Sequence, residues 1–143
     1  MAAVKKKKKE TEADRLSDLP DCLLLRILSL VDTTIAVRTG VLSNRWSCLW
    51  TRLPILNFDS QLFKTYGAFH KFVIRVFSQR CGSEQFNLVR LNFHSKSGST
   101  TVVDRVIRYA VSHFVQEIHM NHSCLIDRRL ISCTSLTTLH LEN

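Results

Sequence analysis

Four residues late in the chain, His119, His122, Cys124 and Cys133, are of the types that hold zinc, which takes tetrahedral sets of imidazole and thiolate ligands. Their spacing fits no common finger, and no C-x-x-C occurs. The pattern leaves these side chains in ordinary structural roles. Phosphate-cradling chemistry is equally unsupported: glycine occurs only at 40, 67, 82 and 98, with no G-x-G-x-x-G, Walker lysine motif or H-E-x-x-H. Nothing pairs a nucleophile with a base. The expectation is a chain without catalysis, cofactor or metal, whose chemistry is binding.

Composition narrows the kind of binding. A chain of 143 residues supports one ordinary domain or two small ones, and 45% hydrophobic with 22% charged residues is typical of a packed globular protein. The formal charge is +8, but Lys5 to Lys9 against Glu10 and Glu12 put +3 in residues 1–13, leaving +5 for the rest. That run reads either as an import or nucleic-acid signal or as a solvated tail, expected to be disordered. After Met1-Ala-Ala-Val the lysines begin, so no apolar secretory segment is visible. The longest apolar run, Cys22 to Leu25, is broken by Arg26 and is too short to span a membrane. Five cysteines, an odd number at irregular gaps, then read as reduced core thiols of a nuclear or cytoplasmic protein.

The elements that must position a binding surface fall into zones. Residues 14–53 read as helical, and Pro54 marks the next boundary. Pro20 suits a first helical turn, with Asp18 and Asp21 at its positive end. Leu23, Leu24, Ile27, Leu28 and Val31 follow on one helical face, while Leu16, Leu19, Leu25 and Leu30 lie off it. This helix has more apolar surface than some forty residues can enclose, so a partner is expected to cover the remainder. Asp32-Thr33-Thr34 caps a short helix through Val37, Gly40 provides a turn, and Ser43 caps a third helix carrying Trp46, Leu49, Trp50 and Leu53. Trp46 and Trp50 are expected to anchor the three helices together.

The second half contains a repeat. Leu88, Leu91 and Phe93, then Val115, Ile118 and Met120, then Leu136, Leu139 and Leu141 share an L-x-x-L-x-L frame, with middle positions 27 and 21 residues apart. Both intervals suit leucine-rich repeats. An amphipathic helix through Phe69, Phe72, Val73, Val76 and Phe77 precedes them. Thr101-x-x-Asp104 reads as a capping box opening a helix through Phe114, and a shorter element spans 126–132. Stacked parallel strands would put Asn92, His119 and His140 in one column, Arg90, Glu117 and Thr138 in a second, and Val89, Gln116 and Thr137 in a third. Such a polar face, opposite the leucines, suits recognition of another protein or is simply solvated. Lys96 and Ser123 stand where the standard repeat has asparagine.

The stretch DRLSDLPDCLLLRILSLVDTTIAVRTGVLSNRWSCLWTRLPILNFD, residues 14–59, resembles the F-box of plant F-box/leucine-rich-repeat proteins, often those with an FBD region. VDRVIRYAVSHFVQEIHM and LISCTSLTTLHLEN are similar to that family's early repeats. The chain departs in having Asp32 for a usual proline and Gly40 for a small hydroxyl or thiol residue. Ending at Asn143, without the family's further repeats, it reads as an apparently truncated member. The resemblance implies an α+β or α/β chain: a basic tail at 1–13, a small helical F-box at 14–59, and at 60–143 a short irregular leucine-rich-repeat solenoid of about three strands with helices on the convex side.

The same resemblance implies a non-catalytic substrate-recognition subunit of an SCF-type ubiquitin ligase, contacting a Skp-type adaptor and through it cullin and RING subunits. The adaptor contact would fall on Leu16, Leu19, Pro20, Leu23, Leu24, Ile27, Leu28, Val41, Leu42, Ser43, Arg45, Trp46, Leu49 and Trp50. The substrate face would be Arg90, Asn92, Glu117, His119, Thr138 and His140. Two other readings stand beside it. One is a repeat fragment whose F-box has lost its partner. The other is a helix-turn-helix, with Ala36 and Gly40 inside and Arg45 and Arg52 on the reading helix, although Trp46, Leu49 and Trp50 leave that helix little polar surface.

Overall fold

The computed structural model describes residues 15–80, 88–96, 99–121 and 128–142. The tail at 1–13, Cys81, and the pair His122 and Cys124 of the zinc pattern lie outside the described residues, as do Ser123 and the start of the 126–132 element.

Three short helices open the fold, each started by the residue chemistry at its end. Helix α1 (Asp21–Leu28) follows Pro20, which occupies the cap position rather than the first turn, and Asp21 lies at the positive end of the helix. Asp32 caps α2 (Thr33–Arg38), its Oδ1 accepting from the Thr34 N–H at 2.7 Å. Ser43 caps α3 (Asn44–Leu49) by accepting from the Trp46 N–H at 3.3 Å. Gly40 lies in a one-turn 3-10 helix, Thr39–Val41. A Cβ there would meet the Ser47 Cα at 3.3 Å, so this glycine permits close approach of the turn to α3. Leu24, Leu28, Ala36, Trp46, Leu49 and Trp50 fill the space between the helices.

Four parallel strands follow, in the order β1 (Ile55–Asp59), β2 (Arg90–His94), β3 (Glu117–Met120) and β4 (Thr138–Leu141). The intervening helices are α4 (Tyr66–Arg80), α5 (Thr100–Ser112) and α6 (Arg128–Ile131). The expectation of about three strands is corrected: β1 lies inside the segment assigned to the F-box. Its frame is Leu53, Leu56 and Phe58, an L-x-x-L-x-L instance as deeply buried as Leu88, Leu91 and Phe93. It escaped the repeat reading because 35 residues separate Leu56 from Leu91, the interval being stretched by the long α4. Leucine-side residues of the first three strands face the helices; Phe58 meets Phe72 and Phe77 edge-on at 6.2 and 5.7 Å, and Phe69 meets Phe93 at 5.6 Å.

Two further expectations are revised. No capping box opens α5: Ser99 holds the cap position without a side-chain bond, and Asp104 turns to Arg108 and Arg129. Cys22 and Cys48 are exposed and Cys133 half-buried, so these thiols are not core residues. The helical region and the sheet share one core, joined by two polar side chains. Arg80, buried on α4, donates from Nη1 to the Trp50 carbonyl (3.2 Å), from Nη2 to the Leu53 carbonyl (2.7 Å) and from Nε to Tyr109 Oη (3.0 Å). Asn57 on β1 donates from Nδ2 to the Ser29 and Val31 carbonyls, and its backbone N–H donates to Thr33 Oγ1 at 2.8 Å. The outer edge of β1 is thereby closed by α2 and the turn before it. Among the described residues, no helix is long and apolar enough to cross a membrane.

Candidate functional site

The helical surface is built around one arginine. Arg45 on α3 donates from Nε to Asp21 Oδ1 (2.9 Å), from Nη1 to the Ser17 carbonyl (2.6 Å) and from Nη2 to the Leu19 carbonyl. Arg52 adds a contact to Asp21 Oδ2 at 3.3 Å. Hydrogen bonding from Arg45, with the charges of both arginines, holds the Asp21 carboxyl below the usual carboxylate range against a smaller opposing effect of desolvation. The clamp fixes the segment leading into α1, and with it Leu16, Leu19 and Pro20.

Around this clamp the apolar side chains divide. Leu16, Leu23, Ile27 and Leu42 are exposed and Val41 almost fully so, at 89%. Leu19 is half-buried and Pro20 exposed. By contrast Leu24, Leu28, Trp46, Leu49 and Trp50, which the sequence placed on the adaptor contact, have their side chains inside the chain's own core. They support the surface from beneath, the anchoring role expected of Trp46 and Trp50. Ser43 and Arg45 serve the chain itself, as cap and clamp. The sequence missed two outward residues, Leu30 at 81% exposure and Ile35. Leu30 already lay off the buried helical stripe, which was the available signal. Arg45 and Arg52, the two arginines of the helix-turn-helix reading, are both paired with Asp21.

The second surface is the sheet face opposite the leucines, and its register is as the spacing predicts. Arg90 pairs with Glu117 and Glu117 with Thr138, while Asn92 pairs with His119 and His119 with His140. The third column stacks just before the strands, the Gln116 N–H donating to the Val89 carbonyl at 3.0 Å and the Thr137 N–H to the Gln116 carbonyl at 2.8 Å. Arg90 Nε meets Glu117 Oε2 at 2.5 Å; this hydrogen bond, with the charges of Arg90 and His119, lowers the Glu117 pKa against opposing desolvation. Asn92 Nδ2 donates to Asn57 Oδ1 at 2.6 Å, and the His119 and His140 rings lie 5.4 Å apart. His119 Nε2 is buried with no hydrogen-bond partner, 3.8 Å from Glu117 Oε2. Asn121, absent from the sequence reading, bridges neighbouring repeats by accepting from the Ser95 N–H (2.9 Å) and donating to its carbonyl (3.2 Å). It stands two positions before the expected asparagine site.

The F-box domain family matches residues 16–58, the three helices together with most of β1. An F-box/FBD/LRR-repeat protein of Arabidopsis thaliana is 36% identical over 106 residues, 72% of this chain and 24% of that protein. An FBD-associated F-box protein of the same plant is 32% identical over 139 residues, 90% of this chain and 29% of its own length. The chain is a plant F-box/leucine-rich-repeat-like protein. Another Arabidopsis thaliana F-box/FBD/LRR-repeat protein is 64% identical over 47 residues, 33% of this chain and 10% of that one. This F-box protein spans between about a quarter and a third of the relatives that align with most of it. No solved structure matches it at a significant level.

Proposed function

We propose that this F-box protein is a non-catalytic adaptor subunit of an SCF-type ubiquitin ligase. Its exposed F-box leucines would dock on a Skp-type adaptor, and through it on cullin and RING subunits, while the polar sheet face holds a substrate protein. One observation carries the reading. A helical module whose inner face is packed against the sheet leaves Leu16, Leu23, Ile27, Leu30, Val41 and Leu42 outward. Covering each such leucine contributes about 1.5–3 kcal/mol before the entropy of association is subtracted. Recruitment then works by raising the effective concentration of substrate beside a charged enzyme, with no bond chemistry in this chain. The sheet side supports the second half of the reading through its aligned columns of hydrogen-bonding groups, with Arg90, Asn92, Glu117, His119, Thr138 and His140 as the substrate face. A protein of this kind would act in the nucleus, the cytoplasm or both.

Co-expression with a Skp-type adaptor followed by size-exclusion chromatography tests the docking. The two chains are expected to co-elute, and Leu23→Glu with Ile27→Glu to abolish it while the far-ultraviolet circular dichroism stays unchanged. Co-elution retained by the folded double variant would sink the assignment.

A further inference from the structure

On the side of the molecule away from the polar sheet face, α4 and α5 enclose a groove of about 550 Å³. Its walls include Ile74 and Ser78 from α4 and Asp104, Arg105 and Arg108 from α5; Phe77 and Tyr109, stacked with ring centroids 4.0 Å apart, form its floor. Among the described residues of the helices, charge is one-sided. The helices α4 to α6 hold Lys71, Arg75, Arg105, Arg108 and Arg128 exposed and Arg129 half-buried, against a single acid, Asp104. That acid is engaged by Arg129, and by Arg108 at 3.0 Å, so it does not offset Arg105. The acids of the polar sheet face, by comparison, include Asp59 and Glu117.

We propose that this groove binds an acidic polypeptide segment, whose carboxylates pair with the exposed guanidinium groups of Arg105 and Arg108. The shape favours a chain over a small anion. The α5 lining runs from Thr101 to His113, roughly 18 Å at 1.5 Å per residue, the reach of about five extended residues. The aromatic floor disfavours nucleic acid, because Phe77 and Tyr109 are each only 7% exposed and cannot offer ring faces to bases. This inference does not rest on adaptor docking, since the groove and the outward F-box leucines belong to different elements.

The test uses the full chain with Lys5 to Lys9 changed to alanine, which removes the basic run as a competing site. A fluorescein-labelled peptide of about eight residues, glutamates interrupted by two leucines, is titrated by fluorescence anisotropy beside its glutamine counterpart and a DNA duplex. Saturable binding of the glutamate peptide is expected, weakened about tenfold by Arg105→Glu with Arg108→Gln. Nitrogen-15 NMR of the chain without the arginine changes provides a second measurement, with peptide-induced shifts expected to cluster at 74–78 and 101–113. Equal binding of the glutamine peptide, tighter binding of the duplex, unchanged affinity in the folded arginine variant, or shifts scattered away from the groove would each overturn the proposal.

Discussion

The F-box helices and the sheet solve opposite surface problems with one shared core. The helical module turns apolar side chains outward, Val41 and Leu30 most of all, and keeps its tryptophans inside. The sheet turns leucines and phenylalanines inward and leaves amides, imidazoles and an arginine–glutamate pair outside. A surface of leucines gains by being covered, whereas a surface of paired polar groups is already at ease in water and favours only a partner that replaces its hydrogen bonds. The two regions therefore suit different kinds of partner. Their edges differ as well. The outer edge of β1 is sealed through Thr33 and Asn57, while on β4 Thr138, His140 and Leu141 are exposed.

The sharpest way to break this comparison is to break the joint. Arg80→Met removes the donors to the Trp50 and Leu53 carbonyls and to Tyr109, and is expected to destabilise the fold by about 3–5 kcal/mol. Because both regions share the joint, urea unfolding followed by Trp46 and Trp50 fluorescence should coincide with unfolding followed by the NMR signals of β2 and β3. Separate transitions, or a loss under about 1 kcal/mol, would show two independent units. Next in size is a contrast within α1. Leu24→Ala is expected to lower stability by about 2–5 kcal/mol, since the residue is fully buried, whereas its neighbour Leu23→Ala stays within about 0.5 kcal/mol. Similar losses at both positions in chemical denaturation would contradict the division of that helix into core and docking sides.

The smallest effect is with pH. Asp21 in the F-box and Glu117 on the sheet both have lowered folded-state pKa values, each through its arginine partner. Below the ordinary carboxylate range the unfolded chain takes up protons first, so the stability these groups add is complete above about pH 5 and is lost as pH falls through their folded values. Asp21→Asn should flatten that acid limb in thermal melts recorded from about pH 5 to 3, and an unchanged limb would remove Asp21 as a contributor.

Much of the site could be read in the residues. The caps Asp32 and Ser43 follow from local hydrogen-bonding chemistry, and the strand columns follow from the L-x-x-L-x-L spacing, because side chains alternate at a period of two and equivalent positions must stack. What spacing could not do was separate Leu24 from Leu23, or Trp46 from Val41. Both members of each pair are apolar, and hydropathy says only that a residue prefers cover, not whether its own chain or another provides it. The Thr101-x-x-Asp104 pattern failed for a related reason. Its acid found arginines on its own helix and on α6, and the latter contact depends on where a later helix packs.

The caps of α2 and α3, the alternating strands β2 to β4 and the presence of more apolar helix than a small module can enclose were therefore settled by the chain's own pattern of residue types. Which leucines remain uncovered, the joining of the two regions through Arg80 and Asn57, and the basic groove over Phe77 and Tyr109 were decided only by tertiary packing. The physical reason is range. Capping and periodicity act over a few residues, whereas Arg80 reaches carbonyls 27 and 30 residues away, and the groove exists only where two helices from different repeats lie side by side.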